Sequence, residues 1–224
     1  ELTNGSVADQ SISKFPKPEF GGRIEVGTQL EVRVNGKLQP SNLITLDDEG
    51  NWTFVAGEVL EDNDYIFEFT STDDAGNSQT IRHNLTIDTS TTVEGGLDVS
   101  TNSGGKNDLK TNSEALKFSG VGEEGSVVQI TINSQTYETT VLGDGTWSFV
   151  MTEALPEGFF EYHILSTDKA GNTAELSDTI EIDRTNVITV SMDTDSDSGS
   201  DNSDNLTNVK QPTISGSTQI NSTV

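Results

Sequence analysis

The sequence predicts an all-β chain of tandem seven-stranded antiparallel immunoglobulin-like β-sandwiches arranged as a rod. Three observations predict it. The chain repeats itself: Asn51-Trp52-Thr53-Phe54 returns as Thr146-Trp147-Ser148-Phe149, Asp73-Asp74-Ala75-Gly76-Asn77 as Asp168-Lys169-Ala170-Gly171-Asn172, and Ile87-Asp88 as Ile182-Asp183, all 95 residues on. Within each copy apolar residues alternate with polar ones at period two, the signature of a strand with one buried face. Between those runs stand Asn35-Gly36, Glu49-Gly50 and Ala75-Gly76-Asn77, which are hairpin turn signals.

The elements follow in order. In the first copy the strands are Leu30 to Val34, Asn42 to Leu46, Trp52 to Val55, a run in which Tyr65, Phe67 and Phe69 share one face, and Ile81 to Ile87. Phe20 to Asn35 aligns with Phe118 to Asn133 at a spacing of 98, so one loop is three residues longer in the first copy. In the second copy strand A lies near Val93 to Val99, B near Ala115 to Gly120, C at Ser126 to Asn133, D at Thr136 to Leu142, E at Thr146 to Met151, F at Phe159 to Thr167 and G at Thr173 to Ile182. Asn186 to Met192 and Gln211 to Gly216 open a third copy as its A and B. The expected modules are 1–89, which starts near Leu2-Thr3-Asn4 after its own strand A, then 90–184, then 185–224 with strands A and B only. Short strands every 8 to 12 residues fit an immunoglobulin-type sandwich without the Cys…Trp…Cys signature of antibody domains.

Composition narrows what such a chain does. The 37 acidic and 12 basic side chains leave a net charge of -25, and no Lys/Arg patch exists for a nucleic-acid or anionic-membrane partner. Cysteine is absent, which excludes disulfides and thiolate metal sites. Only 31% of residues are hydrophobic, and no stretch approaches the length needed for a membrane helix. The N-terminus lacks a signal pattern, so the segment reads as soluble and as part of a longer chain.

The acidic residues are positioned. Strand parity places the turns after B, D and F of the second module at its N-terminal pole, where the chain arrives through Asp88-Thr89-Ser90-Thr91. Glu123, Asp144, Asp168 and Asp88 are therefore expected to converge on one junction. Two carboxylates about 4 Å apart repel by about 4 kcal/mol at an effective dielectric of about 20, so such a cluster calls for a cation. Oxygen-only ligands with Gly turns suit Ca²⁺. Asp73 and Asp168 recur in the same turn, each beside a carboxylate that ends strand G, Asp88 or Asp183.

A second acidic segment, Asp193-x-Asp195-x-Asp197-x-Gly199-x-Asp201-x-x-Asp204, sets carboxylates at alternate positions around a glycine, like the first half of an EF-hand loop but without its Glu or its helices. It lies in an A–B loop. The matching loop of the second module keeps only Asp98 and Asp108, with Asn102, Ser103 and Asn107 between them, and should bind more weakly or not at all. By parity, Asp98, Asp108 and Asp183 face the beginning of the third module. A plain alternative holds for each group: acidic loops are usually solvated surface, and Asp or Asn in a turn bonds its own backbone. Trp52 and Trp147 read as core of strand E, and His83 and His163 do not coincide in the repeat. No P-loop, zincin or Ser/His/Asp pattern occurs, so an enzyme is not expected.

These residues resemble the tandem bacterial Ig-like domains of giant non-fimbrial adhesins exported by type I secretion, of the SiiE and Bap kind. The resemblance is carried by Phe20-Gly21-Gly22-x-x-Glu25-x-Gly27, Gly120-x-x-Glu123-x-Gly125, the two Asp-x-Ala-Gly-Asn turns, Ile-Asp at 87 and 182, and Asp195-Ser196-Asp197-Ser198-Gly199 followed by Asp204-Asn205-Leu206-Thr207-Asn208. It adds Glu25, at the position of Glu123, to the candidate ligands. Leu142 and Gly143 depart from Asp47 and Asp48, and Gln219 stands where Glu25 and Glu123 stand in the other copies. The resemblance implies an extracellular, cell-surface stalk stiffened by Ca²⁺ at module junctions. Its partners would be neighbouring modules of the same chain and, through the parent adhesin, a host or surface receptor; the chain would be a monomer that neither binds nucleic acid nor inserts into a membrane. Two other readings stay open: a glycan- or protein-recognising module, and a spacer of an extracellular enzyme.

Overall fold

The computed structural model describes residues 11–105, 108–201 and 204–219. The sequence-expected start near Leu2-Thr3-Asn4, and Asn107 of the A–B loop, lie outside those residues. In chain order the strands of the first sandwich are β1 (Ser11–Ser13), β2 (Glu19–Arg23), β3 (Gln29–Val34), β4 (Lys37–Leu38), β5 (Ile44–Leu46), β6 (Asn51–Val55), β7 (Asn63–Thr72) and β8 (Ser78–Ile87). Those of the second are β9 (Val93–Leu97), β10 (Lys110–Thr111), β11 (Lys117–Gly122), β12 (Val127–Ile132), β13 (Gln135–Thr140), β14 (Thr146–Val150), β15 (Gly158–Thr167) and β16 (Thr173–Ile182). A final antiparallel pair, β17 (Ile188–Met192) and β18 (Ile214–Thr218), starts the third unit.

Each sandwich packs a five-stranded sheet on a three-stranded one. The larger sheets run β1-β8-β7-β3-β4 and β10-β16-β15-β12-β13; the smaller ones run β2-β6-β5 and β14-β11-β9. Alternation delivers the core. Phe67 and Phe69 from β7 meet Phe20, Trp52, Phe54, Val32, Leu85 and Ile87 in the first module. In the second, Phe118, Val128, Ile130, Trp147, Ile164 and Ile180 do the same work. Ring pairs tighten both cores, Phe20 lying 4.6 Å from Phe67 and Phe118 5.1 Å from Tyr162.

Two features depart from the sequence reading. The segment expected as strand D of the second module is β13, and it pairs with β12 inside the larger sheet. The cause is local: Asn133 and Ser134, at φ 50° and 61°, close a two-residue hairpin that returns the chain at once onto the strand it left. In the first module Asn35 and Gly36 close the same hairpin. There Pro40 and a 3₁₀ turn at Ser41–Leu43 lead the chain across to β5, which pairs with β6. The three extra residues of the first copy lie in this crossing, and strand begins at Ile44 instead of Asn42. The second departure is an additional short strand in each module: β1 and β10 run parallel to β8 and β16. They are two or three residues long and carry no alternation for a sequence to show.

Among the described residues no helix is long and apolar enough to cross a membrane.

Candidate metal centre

The F–G turns position the central aspartates. In the second module Asp168 N–H donates to the Asn172 carbonyl at 3.1 Å, while Asn172 donates its backbone N–H to Asp168 Oδ1 and its amide to Oδ2, both at 2.8 Å. Gly171, at φ 85°, supplies the left-handed position that lets five residues close this loop. The carboxylate is thereby fixed in direction, and Asp168 as a residue is 7% exposed. Asp73 is held identically by Asn77.

Around Asp168 the fold brings two more carboxylates. Glu123 comes from the turn after β11, closed by Ser126 N–H to the Glu123 carbonyl at 3.1 Å. Asp88 follows β8 of the preceding module, its N–H bonded to the Ser13 carbonyl at 3.0 Å. One carboxylate oxygen from each of Asp88, Glu123 and Asp168 lies within 4.8 Å of the others. None of the ion pairs among the described residues reaches this trio. Burial raises the pKa of Asp88 above the usual carboxylate value, helped by the charges of Asp168 and Asp62. Burial likewise raises Glu123, with Asp88 and Asp168 adding to it and the Lys169 ammonium opposing it. Beside Glu123 the Thr91 hydroxyl is buried without a hydrogen-bond partner of sound geometry. Three converging carboxylates beside the Thr91 hydroxyl, with no ion pair to any of the three among the described residues, fit a hard oxygen-seeking cation such as Ca²⁺.

The junction is also bonded directly. The Asn172 amide donates to the Asp88 carbonyl at 2.8 Å, and Lys14 Nζ donates to the Gly171 carbonyl at 2.9 Å. Neither contact was legible in the sequence, because each joins residues whose partners are set by the docking of two modules.

The remaining acidic candidates lie elsewhere. Asp144 is exposed and turned onto its own strand, accepting from Thr146 N–H and Oγ1 at 2.9 and 2.7 Å, which lowers its pKa. Glu25 and Asp73 occupy the corresponding pole of the first module, on the wall of a cavity of about 670 Å³ that reaches Gly22 and Trp52. In the second module β9 covers the equivalent place, its Gly95 lying against Gly120 and the Trp147 ring.

At the other pole, Asp98 accepts from Ser100, Ser119 and Lys117, which together hold its carboxyl far below the usual range. Asp108 caps its loop through the N–H groups of Gly105 and Lys110. Asp183 pairs with Lys110 Nζ at 3.0 Å and does meet the third unit, accepting from the Gln219 amide at 3.4 Å. In the Asp193 to Asp204 loop, the Asp193 carbonyl accepts from Ser196 and Asp197 N–H, and its carboxylate takes the Ser215 hydroxyl. Asp204 accepts from Leu206 N–H at 2.9 Å, while Asp195 and Asp201 are exposed. Asp197 is 5% exposed: Oδ2 accepts from Asn205 N–H at 3.1 Å, and Oδ1 is buried without a partner.

A search of curated proteins finds no match. Among solved structures, the tetra-tandem repeat from the extending region of a large adhesion protein is similar at 20% identity and a TM-score of 0.40, over 97% of this chain and 55% of that one. A Ca²⁺-stabilised, ice-binding adhesin of an Antarctic bacterium is similar at 19% identity and 0.36, over 87% and 54%. A 1.5-MDa bacterial ice-binding adhesin is similar at 18% identity and 0.34, over 81% and 64%. The present chain thus spans little more than half to two-thirds of those chains. The model of the bacterial Ig-like domain matches three successive stretches, residues 3–89, 90–184 and 184–224. Two sandwiches and a third begun, matched along nearly the whole sequence, place this chain in the bacterial Ig-like domain family.

Proposed function

We propose that this chain is a stalk segment of a large bacterial surface adhesin, made of modules 1–89, 90–184 and 185–224, in which Ca²⁺ stiffens the passage between modules. The observation that carries the reading is the trio Asp88, Glu123 and Asp168, contributed by two modules and outside every ion pair among the described residues. An ion bound there would tie the end of β8 to two loops of the next module and remove hinge freedom from the short linker between them. Extracellular calcium modules bind at about 10⁻⁴ to 10⁻³ M, so an ion at ten times its Kd stabilises the docked state by about 1.4 kcal/mol. Low calcium during export would leave the chain loose, and millimolar calcium outside the cell would set it. A second ion would suit the loop after β17, a reading supported by the buried, half-satisfied Asp197. A receptor would be engaged by other parts of the parent protein.

Small-angle scattering and thermal melting with and without a chelator test this. Calcium is expected to raise the melting temperature and to lengthen the maximum dimension. Unchanged values on chelation would sink the stiffening role, whatever the function of the parent protein.

A further inference from the structure

The two module exits share a plan and differ in charge. At each, the residue after the last strand donates its N–H to the short parallel strand at 3.0 Å, Asp88 to Ser13 and Asp183 to Thr111. Strand register then fixes the neighbours: Ile12 lies opposite Thr86 where Lys110 lies opposite Glu181. One residue on, Thr89 stands where Arg184 stands. At these two positions the first exit carries no cation, and no ion pair among the described residues includes Asp88. At the second, Lys110 Nζ is 2.9 Å from Glu181 Oε1 and 3.0 Å from Asp183 Oδ2. Arg184 donates to the Leu155 and Ser113 carbonyls at 2.6 and 2.9 Å, holding the departing chain on the second sandwich. The following unit brings Gln219, an amide donor, to the place where Glu123 brings a carboxylate.

The geometry points to Lys110 as a tethered cation that neutralises Asp183, so that the second exit is set by an ammonium and takes no divalent ion there. Charge-assisted hydrogen bonds to two carboxylates satisfy two of the three ammonium donors. A divalent ion approaching Asp183 would meet that positive charge at contact range and would have to displace it, while finding a donor instead of a third carboxylate at Gln219. The stalk would then alternate an exit that answers to calcium with one that does not. The comparison rests on the calcium reading of the Asp88 trio, but the pairing of Lys110 with Asp183 stands without it.

Carbon-detected NMR of the side-chain carboxyls, on the full chain stripped of metal and titrated with CaCl₂, tests the assignment. In the wild type and in K110R the Asp183 and Glu181 signals should stay still through the titration. In K110M, with the ammonium gone and two carboxylates left facing each other, both should move with calcium; K110Q should do the same, and serves if K110M fails to fold. The proposal is overturned if Asp183 in the wild type moves with the same midpoint as Asp88, or if it stays still in both neutral variants. Signals of Asp88, Glu123 and Asp168 in the same spectra report on the first junction separately, so their silence would count against the calcium reading and leave the result at Asp183 intact.

Discussion

The side-chain amide of Asn172 donates to the main-chain carbonyl of Asp88 across the module boundary at 2.8 Å. The same amide donates to Asp168 Oδ2, so one residue both shapes the turn that aims a carboxylate and docks that turn on the end of the preceding sandwich. Position of the candidate ligands and contact between modules are therefore coupled through a single side chain.

Replacing Asn172 by Ala should expose that coupling. Asn77 builds the equivalent turn in the first module, its backbone N–H and amide donating to the Asp73 carboxylate. Both N77A and N172A remove a turn clamp, but only N172A removes a bond between modules. N172A should cost about 1–2 kcal/mol, speed amide exchange across Thr89 to Thr91 and weaken calcium binding. N77A should leave the exchange of that linker as it is. Equal exchange in the two variants would show that the Asn172 contact does not restrain the junction.

Stability without metal should depend on pH in an unusual direction. Asp88 and Glu123 have folded-state values raised above 3.8 and 4.5, chiefly by burial. A folded state that binds more protons than the unfolded one loses stability as pH rises through the window above those values. In chelator the melting temperature should therefore rise when the pH is lowered from 7 into that window, and E123Q should flatten the rise. Further acid should reverse it. Asp98 and Asp183 have lowered values, set first by Ser100 and by Lys110 respectively, and their contribution is lost as pH falls below 3.8. With calcium bound the upper limb should invert, because the ion needs ionised carboxylates.

A methyl group at Gly120 should be poorly tolerated. A Cβ there would overlap the Glu94 carbonyl and lie 2.8 Å from both Gly95 Cα and the Trp147 ring. For its counterpart Gly22 the nearest neighbour of an added Cβ is the Trp52 ring, at 3.0 Å, with no backbone atom closer. G120A should cost about 3 kcal/mol or more and G22A about 1 kcal/mol, read by chemical denaturation with the two transitions resolved by their tryptophans. Matching costs would mean that β9 yields to the added methyl.

Much of this architecture was legible because repeat and alternation are both local. Trp52 and Trp147 sit in equivalent strands and are buried, as their place opposite polar Thr53 and Ser148 implies. Strand parity also brought Asp88, Glu123 and Asp168 to one pole without any knowledge of contacts. Parity fixes the pole and not the direction of a side chain, which is why Asp144, on the same pole, turned out to be spent on Thr146. The pairing of β13 escaped for a related reason: alternation tells which face of a strand is buried but not which sheet the strand joins. Lys110 gave no signal at all, since a lysine in a two-residue strand acquires its meaning only from Glu181 and Asp183, brought beside it by a parallel pairing.

Asp98 and Asp197 give a last contrast, between the corresponding loops of two successive modules. Asp98 is satisfied by two hydroxyls, a backbone N–H and the Lys117 ammonium at 2.9 Å. Asp197 is buried with one oxygen unpaired, an arrangement that is costly for a carboxylate unless something else supplies the missing contact. Titration calorimetry of the metal-free chain should therefore give a different answer for each amide variant. D98N should lower the melting temperature and leave the number of calcium ions bound unchanged. D197N should remove one binding event and, in chelator, should cost little or even stabilise the loop, because a neutral amide is easier to bury than a lone charge. Loss of a calcium ion in D98N, or full calcium stoichiometry in D197N, would reassign the two loops.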